Sequence, residues 1–386
     1  MSDAAGQELF YSEMKKHLIT LEEKYLHDAE GLKSPVGPHE GRVDWQCPSN
    51  IALIKYWGKK SFQKPINPSL SFTLMNSVTV LSVEYRIKKG ASKISLDFIL
   101  NNHPYSLFTD RLLKYLLLIS NFLPFLNTLH LKINSYNTFP HSAGIASSAS
   151  SFGALGLALC NIEQKLFGTL TDEREFLNKS SFLARLGSGS AARSVYGGCA
   201  LWGHTQEVAE STDEAAISLM EQVKPVFADY HDSILVVSSA EKTVSSSAGH
   251  KLMENNPFAH ARVWQANSNL KLLLRALKTG NLEQFNEVIE QEALALHSLM
   301  MSSFPGFILL RPGTLEIIEQ IRKFRKKTGL LVGFTLDAGA NVHLLYPARY
   351  REYILIFIEE SLKRFCENGY VIHDQVGSGP LRKSQR

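Results

Sequence analysis

The stretch Phe139-Pro-His-Ser-Ala-Gly-Ile-Ala-Ser-Ser-Ala-Ser-Ser151 decides how this chain is read. Ahead of it, Leu129, Leu131 and Ile133 alternate as in a strand with one buried face. Behind it, Phe152–Leu166 carries a helical pattern. A strand, a turn at Gly144 and a helix opening on Ser147, Ser148, Ser150 and Ser151 make a natural anion site. The first N–H groups of a helix lack intrahelical partners and carry partial positive charge, and serine hydroxyls add donors around a phosphate. Small residues at a helix start also serve close helix packing, so the local pattern leaves both uses open. The chain has no G-x-x-x-x-G-K-[ST] run, which argues against a P-loop nucleotidase.

Working outward, Val78–Ile87 and Lys93–Leu100 read as strands, with Asn101-Asn102 as a turn and Asp110–Ile119 as a helix. Asp172–Leu186 opens on an Asp172-x-x-Glu175 cap and stops at Gly187. In the second half, Ser233–Val237 is a short strand. Helices over Pro257–Thr279 and Leu282–Met300 are separated by Gly280 and an Asn281-x-x-Gln284 cap. A helix near Leu315–Lys327 precedes strands at Leu330–Leu336 and Val342–Tyr346, then a helix over Tyr350–Phe365 and a strand at Tyr370–His373. Strands and helices mix without strict βαβ alternation, which is an α+β signature.

The organisation expected is a helical extension over 1–40, a domain over 41–225, a second over 226–374 and a polar tail over 375–386. In the extension, Leu9, Phe10, Met14, Leu18, Leu21 and Tyr25 recur at helical spacing until Gly31 and Pro35 end the pattern. That helix packs either on the body of the protein or on a partner chain.

Composition narrows the function class. Hydrophobic residues make up 44% and charged residues 20% of the 386, as in an ordinary globular protein. A formal charge of +4, with no basic block beyond Arg322–Lys327, argues against nucleic acid as a partner. The acids Asp3, Glu8, Glu13, Glu22, Glu23 and Asp28 disfavour a secretory or transit signal. The most apolar stretch, Leu112–Leu126, is broken by Lys114, Asn121 and Pro124, so no membrane span is expected. Cys47, Cys160, Cys199 and Cys366 have neither CxxC nor metal-finger spacing and read as free thiols in a reducing cytoplasm. The histidines form no HxxxH or HExxH pair, so no protein-built zinc site is indicated.

Three further clusters carry chemistry. In Asn50-Ile-Ala-Leu-Ile-Lys55-Tyr56-Trp57-Gly58-Lys59-Lys60, a lysine falls where a strand would be half buried. It is either a solvent-facing edge lysine or a desolvated ammonium aimed at a phosphate or carboxylate. In Gly187-Ser188-Gly-Ser190-Ala-Ala-Arg193-Ser194-Val-Tyr-Gly-Gly198, glycines permit close approach and Arg193 offers a planar fork to a carboxylate or phosphate. In Phe334-Thr-Leu-Asp337-Ala-Gly-Ala-Asn341-Val, Asp337 ends an apolar strand before a tight turn. If these loops converge with the serine run, Asp337 faces Lys55 and Arg193 and is held ionised by them.

Together, and in this order, the clusters resemble the GHMP kinase superfamily and, within it, the diphosphomevalonate decarboxylases. The resemblance rests on Asn50-Ile-Ala-x-Ile-Lys55-Tyr-Trp-Gly-Lys59, Phe139-Pro-x-x-Ala143-Gly-x-Ala-Ser147-Ser148-Ala149, Gly187-Ser-Gly-Ser-Ala-x-Arg193-Ser194 and Asp337-Ala-Gly-x-Asn341. Asn67-x-Ser69-x-Ser71 and Val244-Ser245-Ser246 extend it, so it spans about Gln46 to Tyr346.

The resemblance implies a two-domain fold, with a ribosomal-protein-like N-terminal domain, a ferredoxin-like C-terminal domain and the active site in the cleft between them. It implies phosphorylation of the 3-hydroxyl of mevalonate 5-diphosphate by ATP with Mg²⁺, then loss of phosphate and CO₂ to give isopentenyl diphosphate. Asp337 corresponds to the base, Lys55 to a charge stabiliser and Arg193 to the grip on the substrate carboxylate. Tyr56, Lys59, Ser188 and Ser190 are expected on the substrate. Gly144, Ala146, Ser147 and Ser148 are expected on the ATP phosphates, which carry the Mg²⁺, with Ser147 or Ser148 as the candidate hydroxyl ligand. A homodimer is implied as well.

Three positions depart from the family pattern: His141-Ser142 for Thr-Ala, Pro68 inside Asn67-x-Ser69, and Ala340 after Asp-Ala-Gly. Pro68 removes one donor expected near the substrate diphosphate. The rival readings are a mevalonate 5-phosphate decarboxylase, a mevalonate 3-kinase that stops after phosphoryl transfer, and, from another class, a non-catalytic binding protein on the same scaffold.

Overall fold

The computed structural model describes residues 19–88, 93–101, 103, 104, 106–140, 145–240 and 246–383. The helix α1 (Leu21–Asp28) opens on a capping box in which Thr20 Oγ1 accepts from Glu23 N–H while the Glu23 carboxylate accepts from Thr20 N–H. Its Tyr25 is fully buried and meets Phe182 edge-on at 5.0 Å. Of the two placements open to the extension, α1 takes the body of the protein. The earlier part of its pattern, Leu9 to Leu18, lies outside the described residues.

The first sheet is built from β1 (Glu40–Ala52), β2 (Ser69–Ile87), β3 (Ser95–Leu100), β4 (His103–Pro104), β5 (Leu129–Asn137), β6 (Cys199–Trp202) and β7 (Ala216–Ser218). Its pairs are antiparallel except β3 with β5. The second sheet holds β8 (His231–Leu235), β9 (Gly333–Leu336), β10 (Val342–Tyr346) and β11 (Val371–Gln375), ordered β11-β8-β10-β9 and antiparallel throughout. Within the segment read as a polar tail, Leu381 and Arg382 form β12 and pair with Gln46 and Trp45 at the open edge of β1.

The helices are α2 (Ser106–Ile119), α3 (Ser147–Phe167), α4 (Glu173–Gly187), α5 (Ala191–Ser194), α6 (Ser246–Leu252), α7 (Ala259–Thr279), α8 (Leu282–Met301), α9 (Pro312–Thr328) and α10 (Arg351–Phe357). The two side-chain caps read from sequence are formed: Asp172 accepts from Glu175 N–H at 2.8 Å, and Asn281 from Gln284 N–H at 3.0 Å. The last helix differs from expectation, because after Phe357 the hydrogen bonding widens to a π turn (Ile358–Leu362) and then tightens over Lys363–Phe365. The glycine-rich run after α4 is not all loop; Ala191–Ser194 makes the helical turn α5.

Leu155, Leu159 and Leu183 of α3 and α4 pack with Val83, Leu131 and Ile133 of the first sheet in one core. Gly156 permits this approach, since a Cβ there would lie 2.7 Å from the Ser180 carbonyl of α4. A second core is shared between the sheets: Ile51, Leu70 and Phe72 meet Ile234, Leu345, Leu270 and Phe285. Phe72 and Phe285 stack with centroids 5.9 Å apart. Each such buried side chain contributes about 2 kcal/mol, so this shared core fixes one half of the molecule against the other. A polar clamp adds to it. Asp374 of β11 accepts backbone N–H groups from Met75 (2.9 Å), Asn76 (2.8 Å) and Ser77 (2.7 Å) at the bend of β2.

Candidate active site

Lys55, expected on a half-buried strand, lies just past the bend at Leu53 and Ile54 that follows β1 and is only 2 % exposed. Its main chain is held on both sides. The N–H donates to Glu292 Oε2 at 2.8 Å, and the carbonyl accepts from Asn67 Nδ2 at 3.1 Å and Arg262 Nη2 at 2.8 Å. Glu292 of α8 is fully buried and is gripped by Arg262 of α7 through bonds of 2.7 and 2.5 Å, with Asn269 Nδ2 donating at 2.8 Å. A buried carboxylate is tolerated when it is paired and hydrogen-bonded in this way.

The ammonium this frame positions donates to the Ala52 carbonyl at 2.5 Å and to Asp337 Oδ1 at 3.2 Å. Burial lowers the Lys55 pKa from its ordinary value, and the Asp337 carboxylate opposes that shift. Asp337 follows β9, and its carbonyl is fixed by Gly339 N–H at 2.7 Å and His297 Nε2–H at 3.0 Å.

Arg193 sits on α5, 1 % exposed. Its Nη2 donates to Asn50 Oδ1 at 3.2 Å, and Asn50 Nδ2 in turn donates to Ser194 Oγ at 2.8 Å. Nε and Nη1 find no protein acceptor among the described residues. Burial lowers the guanidinium pKa to about 10, while Tyr56 and Asp337 oppose the shift, so it stays charged at neutral pH. Its charge lies 5.7 Å from the Tyr56 ring centroid. A buried cation with two unused donors is costly unless a ligand supplies the acceptors.

These groups line one cleft of about 450 Å³, which brings together Lys55, Tyr56, Lys59, Ala146, Ser148, Ser188, Ser190, Arg193 and Asp337. Ser148 Oγ is 3.1 Å from Ser188 Oγ, which is 3.4 Å from Ser190 Oγ, a string of hydroxyls along one wall. At the start of α3, Ala146 is left-handed (φ 34°) and no side chain caps the first turn; Ala149 N–H closes back on the Ala146 carbonyl at 2.7 Å, while the Ser147 and Ser148 N–H groups meet no protein acceptor among the described residues. Ser147 does not line the cleft; its carbonyl accepts from Ser150 Oγ. Gly144 and His141 lie outside the described residues.

Pro68 is not among the residues that line the cleft. Its neighbours are spent on structure: Asn67 on the Lys55 carbonyl and Ser69 Oγ on the Ile54 carbonyl at 2.5 Å.

Sequence reading missed Trp57, Gln63, Arg111 and His250 as lining residues, and Arg262 and Glu292 as supports. Glu292 had a signal: it falls on the apolar face marked by Phe285, Val288, Ile289, Leu296 and Leu299. Arg111 stands in a segment whose local pattern carries no motif, and His250 follows the Val244-Ser245-Ser246 run by four residues.

Residues 47–215 match the diphosphomevalonate decarboxylase-like N-terminal domain, and residues 233–379 match the mevalonate 5-diphosphate decarboxylase C-terminal domain. A diphosphomevalonate decarboxylase of Aspergillus fumigatus is 30% identical over 329 residues, covering 79% of this chain and 76% of that protein. The crystal structure of mevalonate diphosphate decarboxylase from Staphylococcus aureus superposes with a TM-score of 0.76 at 27% identity, covering 89% of this chain and 98% of that one. The protein MDDEF, solved in complex with MVAPP, AMPPCP and magnesium, superposes at 0.73 with 29% identity, covering 90% of this chain and 100% of its own.

Proposed function

The chain belongs to the diphosphomevalonate decarboxylase family, and from that premise we propose how its own cleft carries out the reaction. It is an ATP-dependent decarboxylase that converts mevalonate 5-diphosphate to isopentenyl diphosphate, using ATP and Mg²⁺. The observation that carries the assignment of roles is the Lys55–Asp337 pair beside a guanidinium with two unused donors.

Asp337 orients the tertiary 3-hydroxyl and takes its proton as the oxygen attacks the γ-phosphorus of ATP. Lys55, fixed through its main chain, places its ammonium where charge builds on the transferring and then departing phosphate. Arg193, whose guanidinium keeps donors that the protein does not use, grips the substrate carboxylate and keeps it aligned. When the C3–O bond breaks, the C1–C2 bonding pair becomes the C2–C3 double bond and CO₂ leaves. Tyr56, Lys59, Ser188 and Ser190 hold the substrate.

The ATP phosphates fit the uncapped start of α3, with the Ala146 turn, the first N–H groups and the Ser148 hydroxyl as donors. Mg²⁺ neutralises charge on those phosphates. Of the two serines expected to supply a hydroxyl to the ion, Ser148 lines the cleft and would be the protein's ligand, with the ATP phosphates supplying the rest.

A domain boundary near residue 225 falls in the gap between the two family matches. A homodimer in the cytoplasm completes this reading. All four cysteines are free and buried, as suits a reducing compartment. Among the described residues no helix is long and apolar enough to cross a membrane.

The test is to incubate the protein with ATP, Mg²⁺ and mevalonate 5-diphosphate and to measure ADP and CO₂ separately. Equal yields are expected. ADP without CO₂ would make the protein a 3-kinase, for which a spare buried guanidinium has no use.

A further inference from the structure

His250 of α6 is 7 % exposed and lines the cleft, yet none of the roles above uses it. Its ring is fixed on both faces, stacked on Tyr56 with centroids 4.7 Å apart and tilted against Trp57 at 4.6 Å. Its Nδ1 accepts the Gly58 backbone N–H at 3.0 Å. A nitrogen that accepts a hydrogen bond carries no proton, so the proton of the neutral ring sits on Nε2. Burial, and then the Lys59 charge, push the His250 pKa well below its ordinary value, so the ring is neutral at physiological pH. Nε2–H has no protein acceptor among the described residues. A ring otherwise buried that keeps one fixed donor at the cleft wall offers it to a ligand there.

The surroundings say what kind of acceptor. Lys59, whose Nζ donates to Gln63 Oε1 at 2.7 Å, feels the charge of Arg111 on one side and opposes protonation of His250 on the other. Arg111 lines the same cleft from α2, close to the Phe108 and Phe152 rings. Neither Lys59 nor Arg111 has a carboxylate partner among the described residues. Two cations, Lys59 and Arg111, therefore line the cleft beside the neutral His250 with no carboxylate partner among the described residues, while the one carboxylate of the lining, Asp337, is engaged with Lys55. Such a cluster is built for a ligand of high negative charge.

We propose that His250 is a specificity-determining residue, whose Nε2–H donates to an oxygen of the substrate's terminal (β) phosphate, with Lys59 and Arg111 completing the cage. The inference rests on the decarboxylase reading and adds a neutral, directional donor that selects the diphosphate over the 5-monophosphate. Two point cations attract either anion. A donor locked between two aromatic rings rewards only an acceptor at one place.

The test compares His250→Phe, which keeps a flat ring and loses the donor, with His250→Gln, which keeps an amide N–H. Steady-state kinetics are measured for mevalonate 5-diphosphate and for mevalonate 5-phosphate. His250→Phe is expected to raise KM for the diphosphate by about ten- to a hundredfold with kcat within about threefold, and to leave kcat/KM for the monophosphate unchanged. His250→Gln is expected to recover most of the loss. In ¹⁵N-resolved spectra of the wild type, Nε2 should carry the proton, and its signal should shift on adding the diphosphate but not the monophosphate. An equal fall for both substrates, or no fall in His250→Phe, would overturn the proposal. Wild-type protein that releases no CO₂ from the diphosphate would instead overturn the decarboxylase reading on which it rests.

Discussion

Lys55 and Asp337 stand 282 positions apart in sequence and meet at 3.2 Å across the cleft, one from the end of the first sheet's leading strand and one from the second sheet. The ion pair is therefore intact only when both halves of the molecule are correctly docked.

Asp337→Asn is the most direct probe of the pair. The amide preserves shape and can still accept from Lys55 Nζ, but it takes no proton from the substrate hydroxyl. A fall in kcat on the order of 10³-fold is expected, with circular dichroism and ATP affinity unchanged. Retention of a tenth of the activity would remove Asp337 from the role of base.

Arg193→Lys separates charge from shape. Lysine restores one positive charge but not the planar guanidinium, two of whose nitrogens are unused by the protein. A drop in kcat/KM of roughly a hundredfold is expected for Lys as well as for Ala. A near-normal Lys variant would show that Arg193 supplies charge alone.

The Arg262–Glu292 pair predicts a stability effect far from any substrate atom. Arg262→Met leaves Glu292 buried with one cation fewer and the Lys55 carbonyl with one donor fewer. The loss expected is about 3–5 kcal/mol, read from urea unfolding. A loss below about 1 kcal/mol would mean the pair is not what holds the Lys55 main chain.

Lys59 gives a pH signature. Burial, then Arg111, lower its pKa from 10.5 to about 8, so the free enzyme loses this charge as pH rises through about 8. KM for the diphosphate is expected to rise above that pH, and Lys59→Met to abolish the rise. The sign for stability is the opposite of a salt-bridged lysine. Between about 8 and 10.5 the unfolded chain binds the extra proton, so this group's penalty on the fold is relieved as pH rises through that window. A KM that is flat from pH 7 to 9.5 would contradict the assignment.

Much of this molecule was legible beforehand, and the reason is physical. The caps at Asp172 and Asn281 are local hydrogen bonds, closed within one turn, and they formed where the sequence put them. Lys55, Arg193 and Asp337 were readable because each stands among small or apolar residues, where a charge is conspicuous. What escaped depends on distance in sequence. Arg111 enters the cleft from α2 with nothing within a few residues to mark that destination, and the Val244-Ser245-Ser246 run before α6 marks the segment but not His250 itself. Ser147 and Ser148 are neighbours of like chemistry, yet only Ser148 reaches the lining, because the helix turns its neighbour away. β12 escaped because two residues at an open strand edge leave no periodicity to read.

The clamp at Asp374 and the pairing of β12 with β1 also bear on how the protein is made. The bend at Met75–Ser77 leaves the ribosome nearly 300 residues before the carboxylate that caps it. At about 5–20 residues per second that interval is roughly 15–60 s. Throughout it, three N–H groups of β2 and the outer edge of β1 are open to other chains, so the nascent first half is the aggregation-prone species. Co-expression of the two halves as separate polypeptides would test recovery better than the first half alone, since only the second half brings the cap.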